Sequence, residues 1–536
     1  MSENQLYING KIYTMDPSCP VAEAVAVSGS IIKAAGTIEE CTGSPGCDCE
    51  TIDLQGLTML PGFIDTHMHP PLMIALEMFM DLYDISSMSE LRHRIQEEAL
   101  KKPGQAWILG LQFDEQNLAE KKMPSRSDLD TACKTRPVLI MKRDAHTIIA
   151  NTAAINSAGI TAATPDPAGG TIDREPGGFP AGPFRETAAQ MLIRNMSLPG
   201  TGQVIEAGRA AFGKIAACGI TSAGIILQAG IEGVYGDLGR FDVPLMNRLM
   251  ENIPVNLYTM LVADNPEQVK AAQGTALNSS TGHTENRIGG IKFWADGSFG
   301  SCTAFMGSPF NDHPDRRGFL IHTMDEMYSR MEMAHRAGLQ IAVHSIGDES
   351  TRICCGLYDR LFREYPGIQH RHRIEHASLV DENLAHEIAR LGLVVSTQPL
   401  FIHTEKNWLN RRLGPERARW TYAHRGLLDA GVVVAGASDA PIESLNVMQA
   451  IQCCVTRDGF ETHQAITAEE AVRMFTINAA FAQFEEDSKG SITPGKRADL
   501  VVLSGDPLKS RPEATGEITV KRTVCGGQTI YNSMKN

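Results

Sequence analysis

A chain of 536 residues has room for about three average domains or one large enzyme with insertions. With 43% hydrophobic and 21% charged residues it is composed like a globular protein, which excludes global disorder. Lysine and arginine total 49 against 63 acidic residues, a net charge of −14, the wrong sign for a dominant phosphate-binding surface. Neither nucleic acid nor membrane is therefore expected as a partner, and no apolar run approaches the ~18 residues of a bilayer span. The start, Met1-Ser2-Glu3-Asn4-Gln5, lacks the basic-then-apolar order of a signal peptide, so the expected location is cytoplasmic. The 12 cysteines include the adjacent pairs Cys354-Cys355 and Cys453-Cys454, and Cys47 and Cys49 one residue apart. That spacing fits neither a disulfide framework nor a paired zinc clip, and reads as reduced thiols packed as small hydrophobes.

The chain opens with short strand-like pieces. Leu6-Tyr7-Ile8, a turn at Asn9-Gly10, Lys11 to Thr14, Ala22 to Val27 and Ile31 to Ala35 predict a meander. Next comes Leu60-Pro61-Gly62-Phe63-Ile64-Asp65-Thr66-His67-Met68-His69, a strand ending in His-x-His. The stretch from His69 to about Val204 is too long for one βα unit, and its Pro- and Gly-rich segments 165–170 and 175–183 read as turns, which predicts an inserted subdomain. Beyond it a unit recurs: a helix, a glycine, a short apolar strand. Gly219, Gly338, Gly392 and Gly431 each separate such a pair, as left-handed caps would. Strands apolar along their whole length imply burial on both faces and a parallel sheet, open or closed into a barrel. The end is β-like again, at Ala498 to Leu503, Ile518 to Val524 and Gln528 to Tyr531, so both termini are expected to build one small sheet domain.

Alternation along a strand points His67 and His69 the same way, which suits chelation of one ion. Other buried-type strands end in His344, in Glu375-His376 and in Asp439. A parallel barrel gathers its chemistry at the C-terminal strand ends, so these residues would converge although far apart in sequence. Imidazole with carboxylate suits zinc or another first-row divalent ion, and an aspartate after an apolar run is costly without a cation or hydrogen-bond donors.

The ordered set of motifs resembles the amidohydrolase superfamily and, within it, the YtcJ-like branch that includes N-substituted formamide deformylases. Pro61 to His69 is similar to the family's first-strand motif, and Ile291-Lys292-Phe293-Trp294-Ala295-Asp296-Gly297-Ser298 to its fourth-strand lysine motif. His344 to Asp348, Arg373 to Ala377 and Ala437 to Pro441 resemble the fifth, sixth and eighth. Gly490 to Val502 resembles the strand pair that follows the barrel. The resemblance implies an α/β chain with a TIM-like (β/α)8 barrel over 59–484, an inserted subdomain within about 90–204, and a small β-sandwich formed by 1–58 and 485–536. It implies up to two divalent ions, Zn with Mn, Co, Fe or Ni as substitutes: His67, His69 and Asp439 on one, His344 and His376 on the other. Lys292 would bridge them as a carbamate, because a free ammonium has no lone pair to give a metal.

The implied reaction is attack by metal-activated water on a C–N bond of a small amide-like substrate (an N-acyl or N-formyl amide), with esters also feasible. Asp439 would be the acid/base. Phe113-Asp114-Glu115 and Asp144-Ala145-His146-Thr147 with Asn151 resemble stretches that reach the pocket. His146 is read as a catalytic hydrogen-bond donor or a structural residue. Trp294, Phe299 and Phe305 are read as pocket lining or packing, and Gln398 as a pocket amide or a satisfied core group. Arg185-Glu186 and Arg373 are read as orienting neighbours by ion pairing. A homodimer is a family-level expectation. Two other readings stay open: a mononuclear ring deaminase, which gives Lys292 no ligand role, and a metal-free barrel kept as a binding scaffold.

Overall fold

Eight strands pair in sequence order into one sheet: β1 (Phe63–Met68), β2 (Ile220–Gln228), β3 (Asn256–Val262), β4 (Asn286–Trp294), β5 (Gln340–Ser345), β6 (Arg373–His376), β7 (Val394–Thr397) and β8 (Val433–Gly436). All seven pairings are parallel. The outer strands meet through a parallel bridge of Met68 with Ala440, beside which the Asp439 N–H donates to the His67 carbonyl at 2.8 Å. The sheet thus becomes a near-closed barrel in this computed structural model, which describes residues 4–43, 49–101, 107–115, 117–142, 147–167, 170–193, 199–230, 236–367 and 370–534. β1, β2, β3, β6 and β7 are buried at every residue, as strands covered on both faces must be.

The repeating unit forms where the sequence predicts it. Helices Thr201–Ala217, Met324–Arg336, Glu382–Arg390 and His424–Asp429 lead into β2, β5, β7 and β8. The intervening Gly219, Gly338, Gly392 and Gly431 take φ of 81°, 71°, 62° and 88°. Two of these helices start on side-chain caps: Thr323 and Glu326 form a reciprocal capping box, and Asp381 accepts the Leu384 N–H at 2.8 Å.

The described residues fall into two compact units, residues 1–71 with 211–536, and residues 72–210. In the first unit, both termini contribute to sheets beside the barrel. Strands Leu500–Leu503, Val520–Cys525 and Gln528–Asn532 share a six-stranded sheet with Thr58–Pro61, Lys11–Tyr13 and Val21–Ala22. Tyr7, Val25, Ile32, Met59, Leu500, Val502 and Val524 close one apolar core between this sheet and a four-stranded one. The predicted meander is corrected here. Asn4–Ile8 pairs with Ala24–Ser28 and, in parallel, with Glu50–Asp53, whereas Lys11–Tyr13 joins the other sheet. Asn9-Gly10 is therefore a crossing between sheets; a Cβ at Gly10 would sit 2.5 Å from Leu54 Cδ1, so only glycine passes.

The second unit has a six-stranded sheet in the order Gly170–Arg174, Pro180–Glu186, Thr147–Ala150, Val138–Lys142, Ile108–Phe113, Met80–Asp81. The Gly- and Pro-rich segments read as turns are in part strands: Gly170–Arg174 and Pro180–Glu186 form an antiparallel pair around a turn at Glu175–Gly178. Arg185 grips Asp173 with two bonds of 3.1 and 2.8 Å, the ion pairing expected of it. Among the described residues, all cysteines are free and no helix is long and apolar enough to cross a membrane.

Two caps separate backbone strain from crowding. At Gly338 a Cβ meets nothing within 4 Å, whereas at Gly219 it would meet Val501 Cγ2 at 2.7 Å. Gly338→Ala should cost only the left-handed penalty of about 1–2 kcal/mol. Gly219→Ala should cost more and give the lower unfolding midpoint of the two; equal midpoints would contradict this packing.

Candidate metal centre

The barrel geometry brings the sequence-predicted ligands to one end. β1 delivers His67 and, one residue past its end, His69; β4 delivers Lys292, β5 His344, β6 His376, and the turn after β8 Asp439. Asp439 Oδ1 lies 3.0 Å from His69 Nε2 and 3.4 Å from His67 Nε2. The ring centres of His67 and His376 are 5.2 Å apart, and those of His376 and His344 4.5 Å. Lys292 Nζ stands 5.7 Å from the Trp294 ring centre, on the same strand face two residues on. His376, Ala377 and Asp439 adopt φ of 71°, 45° and 58°, a left-handed backbone that non-glycine residues hold only when their surroundings impose it.

Each histidine has one ring nitrogen occupied. His67 Nδ1 pairs with Glu375 Oε2 at 2.6 Å, and His376 Nδ1 with Gln398 Oε1 at 2.8 Å. His344 Nε2 contacts the Gly297 carbonyl at 3.1 Å. A carbonyl or carboxylate oxygen only accepts, so those nitrogens carry the proton and the opposite ring nitrogen keeps its lone pair. Burial pushes the imidazole of His67 down to about 4 and that of His376 to about 3, and holds His344 well below the ordinary value. All three are neutral at neutral pH, the form that ligates. Burial alone would raise the Asp439 carboxyl, but His67, His69 and His376 outweigh it and keep the group below the usual range. Burial lowers the Lys292 amine to about 8 against the opposing pull of Glu375 and Asp439.

A cation fits this arrangement. His67, His69 and Asp439 each offer a ligand atom, all within 4.8 Å of one another, and Asp439 Oδ1 is buried without a hydrogen-bond partner. An orphaned carboxylate oxygen facing two imidazole nitrogens is costly unless a positive ion completes it.

Glu375, Asp65 and Asp296 support the cluster without having been given a role from sequence, and Arg373 makes the ion pair expected of it. Glu375 holds His67, and Arg373, fully buried, donates from Nε to Glu375 Oε1 at 2.6 Å and from Nη2 to the Thr66 carbonyl at 2.8 Å. Asp65 accepts the N–H groups of His67 and Ser438, each at 3.1 Å, tying β1 to the turn after β8. Asp296 accepts from Phe305, Ile346 and Gly347 N–H and from the Ser350 hydroxyl at 2.7–3.0 Å. A signal existed: alternation puts Arg373 and Glu375 on one face of a buried strand, and buried charges need partners.

Other predicted residues sit differently. Gln398 is fully buried with its oxygen committed to His376, which leaves only Nε2 for any other contact. Trp294 is half-buried against Ile226, Tyr258 and Met260. Phe299 belongs to a core with Phe310, Ile402 and Leu409. In the second unit Phe113 is fully buried in the core with Ile108, Leu118 and Val138, and Asn151 caps the helix Thr152–Ser157. Asp114 follows the strand Ile108–Phe113, and His146 lies outside the described residues.

Residues 50–531 match the amidohydrolase family. YtcJ of Bacillus subtilis is 29% identical over 98% of this chain and 99% of its own length. The N-substituted formamide deformylase of Arthrobacter pascens is 26% identical over 98% of both chains. The crystal structure of an uncharacterized metal-dependent hydrolase from Pyrococcus furiosus superposes with a TM-score of 0.73 at 27% identity, covering 94% of this chain and all of that one. The fold is that of a metal-dependent hydrolase acting on carbon–nitrogen bonds, and His67, His69 and Asp439 form a group that could hold a metal ion. The chain belongs to the amidohydrolase family.

Because every group touching the Asp296 carboxylate is a donor, Asp296→Asn would aim an amide N–H₂ at other N–H groups. It should cost about 1–3 kcal/mol, read as a lower denaturation midpoint, and an unchanged midpoint would show that the two loops are held by other contacts.

Proposed function

We propose that this chain hydrolyses the C–N bond of a small N-formyl or N-acyl amide, with esters as further substrates, using two divalent cations, zinc foremost. The observation that carries the reading is the buried, unpartnered Asp439 Oδ1 between His67 and His69, with His344, His376 and Lys292 alongside. The similarity to an N-substituted formamide deformylase over nearly the full length supports the substrate class.

In this reading His67, His69 and Asp439 would hold one ion and His344 and His376 the other, and Lys292, as a carbamate, would supply a further anionic ligand. Burial makes the neutral amine of Lys292 accessible near neutral pH, and only that form has the lone pair to add carbon dioxide. What a bound divalent cation supplies is a lower pKa for water and a polarised carbonyl. Asp439 would take the proton of the attacking water and pass it to the leaving nitrogen as the C–N bond breaks. Glu375 and Gln398 keep His67 and His376 in fixed ring orientations, so the lone pairs need no reorganisation. A one-ion version is favoured by one observation: among the described residues, only His67, His69 and Asp439 form a group of three mutually close ligands.

Chelation should abolish hydrolysis of a panel of N-formyl and N-acyl amides, and Zn, Mn or Co should restore it; full activity in protein shown to be metal-free sinks the proposal. Asp439→Asn should lower turnover by at least ~10²-fold, and near-normal turnover would assign the proton transfer elsewhere. Lys292→Ala should lose one or both ions by elemental analysis, and a short carboxylic acid should partly restore them. Unchanged metal content would reject the carbamate bridge.

A further inference from the structure

The two halves of the cluster are backed by different chemistry. On the His67 side the partner of the ring N–H is a carboxylate: Glu375 Oε2 at 2.6 Å from Nδ1, in a pair where both side chains are essentially inaccessible. Arg373 engages the other oxygen of the same carboxylate at 2.6 Å, so Glu375 stays ionised and presents a single oxygen to His67. The same half contains a carboxylate of its own, Asp439, at 3.0 and 3.4 Å from the two imidazoles. On the other side the partners are neutral. His376 leans on the Gln398 amide oxygen at 2.8 Å and His344 on the Gly297 carbonyl at 3.1 Å. The nearest carboxylate to His344 is Asp296, 3.8 Å from Nε2 and beyond hydrogen-bond reach; its oxygens already serve Ile346, Gly347, Phe305 and Ser350.

An imidazole that donates to a buried carboxylate gains negative character and becomes a stronger ligand than one that donates to an amide or carbonyl. We infer that the two metal positions are unequal: the His67/His69/Asp439 position binds first and tightly, and the His344/His376 position is the weak, exchangeable one. Glu375 and Gln398 are the positioning residues that set the difference. This rests on the two-ion reading of the preceding section, and it concerns the order and strength of filling rather than the reaction.

The test is a titration of chelator-treated, full-length protein with Co²⁺, followed by visible absorbance and by calorimetry. Wild type should bind two ions in separate phases at least tenfold apart in dissociation constant. Glu375→Gln keeps the shape and an accepting oxygen while removing the charge, and should weaken the first phase by about 10–100-fold with little effect on the second. Gln398→Glu should tighten the second phase and bring the two together, a gain that a damaged fold does not produce. Two phases of equal affinity, or a Glu375→Gln effect shared by both, would overturn the inference and leave the two-ion reading standing. Uptake of one ion per chain with no second phase would overturn the two-ion reading, and the inference with it.

Discussion

Burial of ionisable groups inside an otherwise apolar barrel is the constraint on which this structure turns. Glu375, Arg373, Lys292, Asp65 and Asp439 are all buried in strands or turns of the barrel. Any one of them alone would cost several kcal/mol in such surroundings. Arg373 pairs through Nε with Glu375 and through Nη2 with the Thr66 carbonyl, Glu375 pairs with Arg373 and His67, and Asp65 accepts two backbone N–H groups. Buried ion pairs are seldom more stable than apolar residues of the same volume. A layer of leucine and valine would fill a barrel at lower cost, so the charges in this one answer to chemistry at the strand ends.

The neighbouring backbone shows the same priority. His376, Ala377 and Asp439 take left-handed conformations where the strands stop, and the surrounding hydrogen bonds hold them there: the Ala377 N–H to the Ser345 carbonyl at 3.0 Å, and the Asp439 N–H to the His67 carbonyl at 2.8 Å. Asp296 does the equivalent for the loops after β4 and β5, gathering three N–H groups from two segments around one carboxylate. The result is a cluster whose strand ends are held by backbone and carboxylate hydrogen bonds of the barrel itself.

The terminal sheets are joined to the barrel by a polar seam. Asp499 accepts from Asn256 of β3 at 3.0 Å and from the Gly526 N–H at 2.6 Å, and its carbonyl accepts the Gly62 N–H at 2.8 Å just before β1. Arg497 reaches Glu285, one residue before β4, at 2.9 Å. One short segment near the C-terminus therefore braces the entrances of three barrel strands, which explains in physical terms why strands from both ends of the chain share a sheet.

Local pattern by itself determined the repeating helix–glycine–strand units, the strand ending in His67 and His69, and the strand ends bearing His344, His376 and Asp439. Each depends on interactions a few residues apart: a left-handed cap, an apolar run, an alternation of side chains. Only tertiary structure decided what those residues face. That His67 leans on Glu375, 308 positions away, and that Gln398 supports His376 follow from strands made adjacent by closure of the barrel. The crossing at Asn9-Gly10 and the hairpin among the Pro- and Gly-rich residues near 175 were likewise outside local reach. A turn signal reports that the chain bends, and the sheet it returns to is chosen by long-range burial that no short window contains.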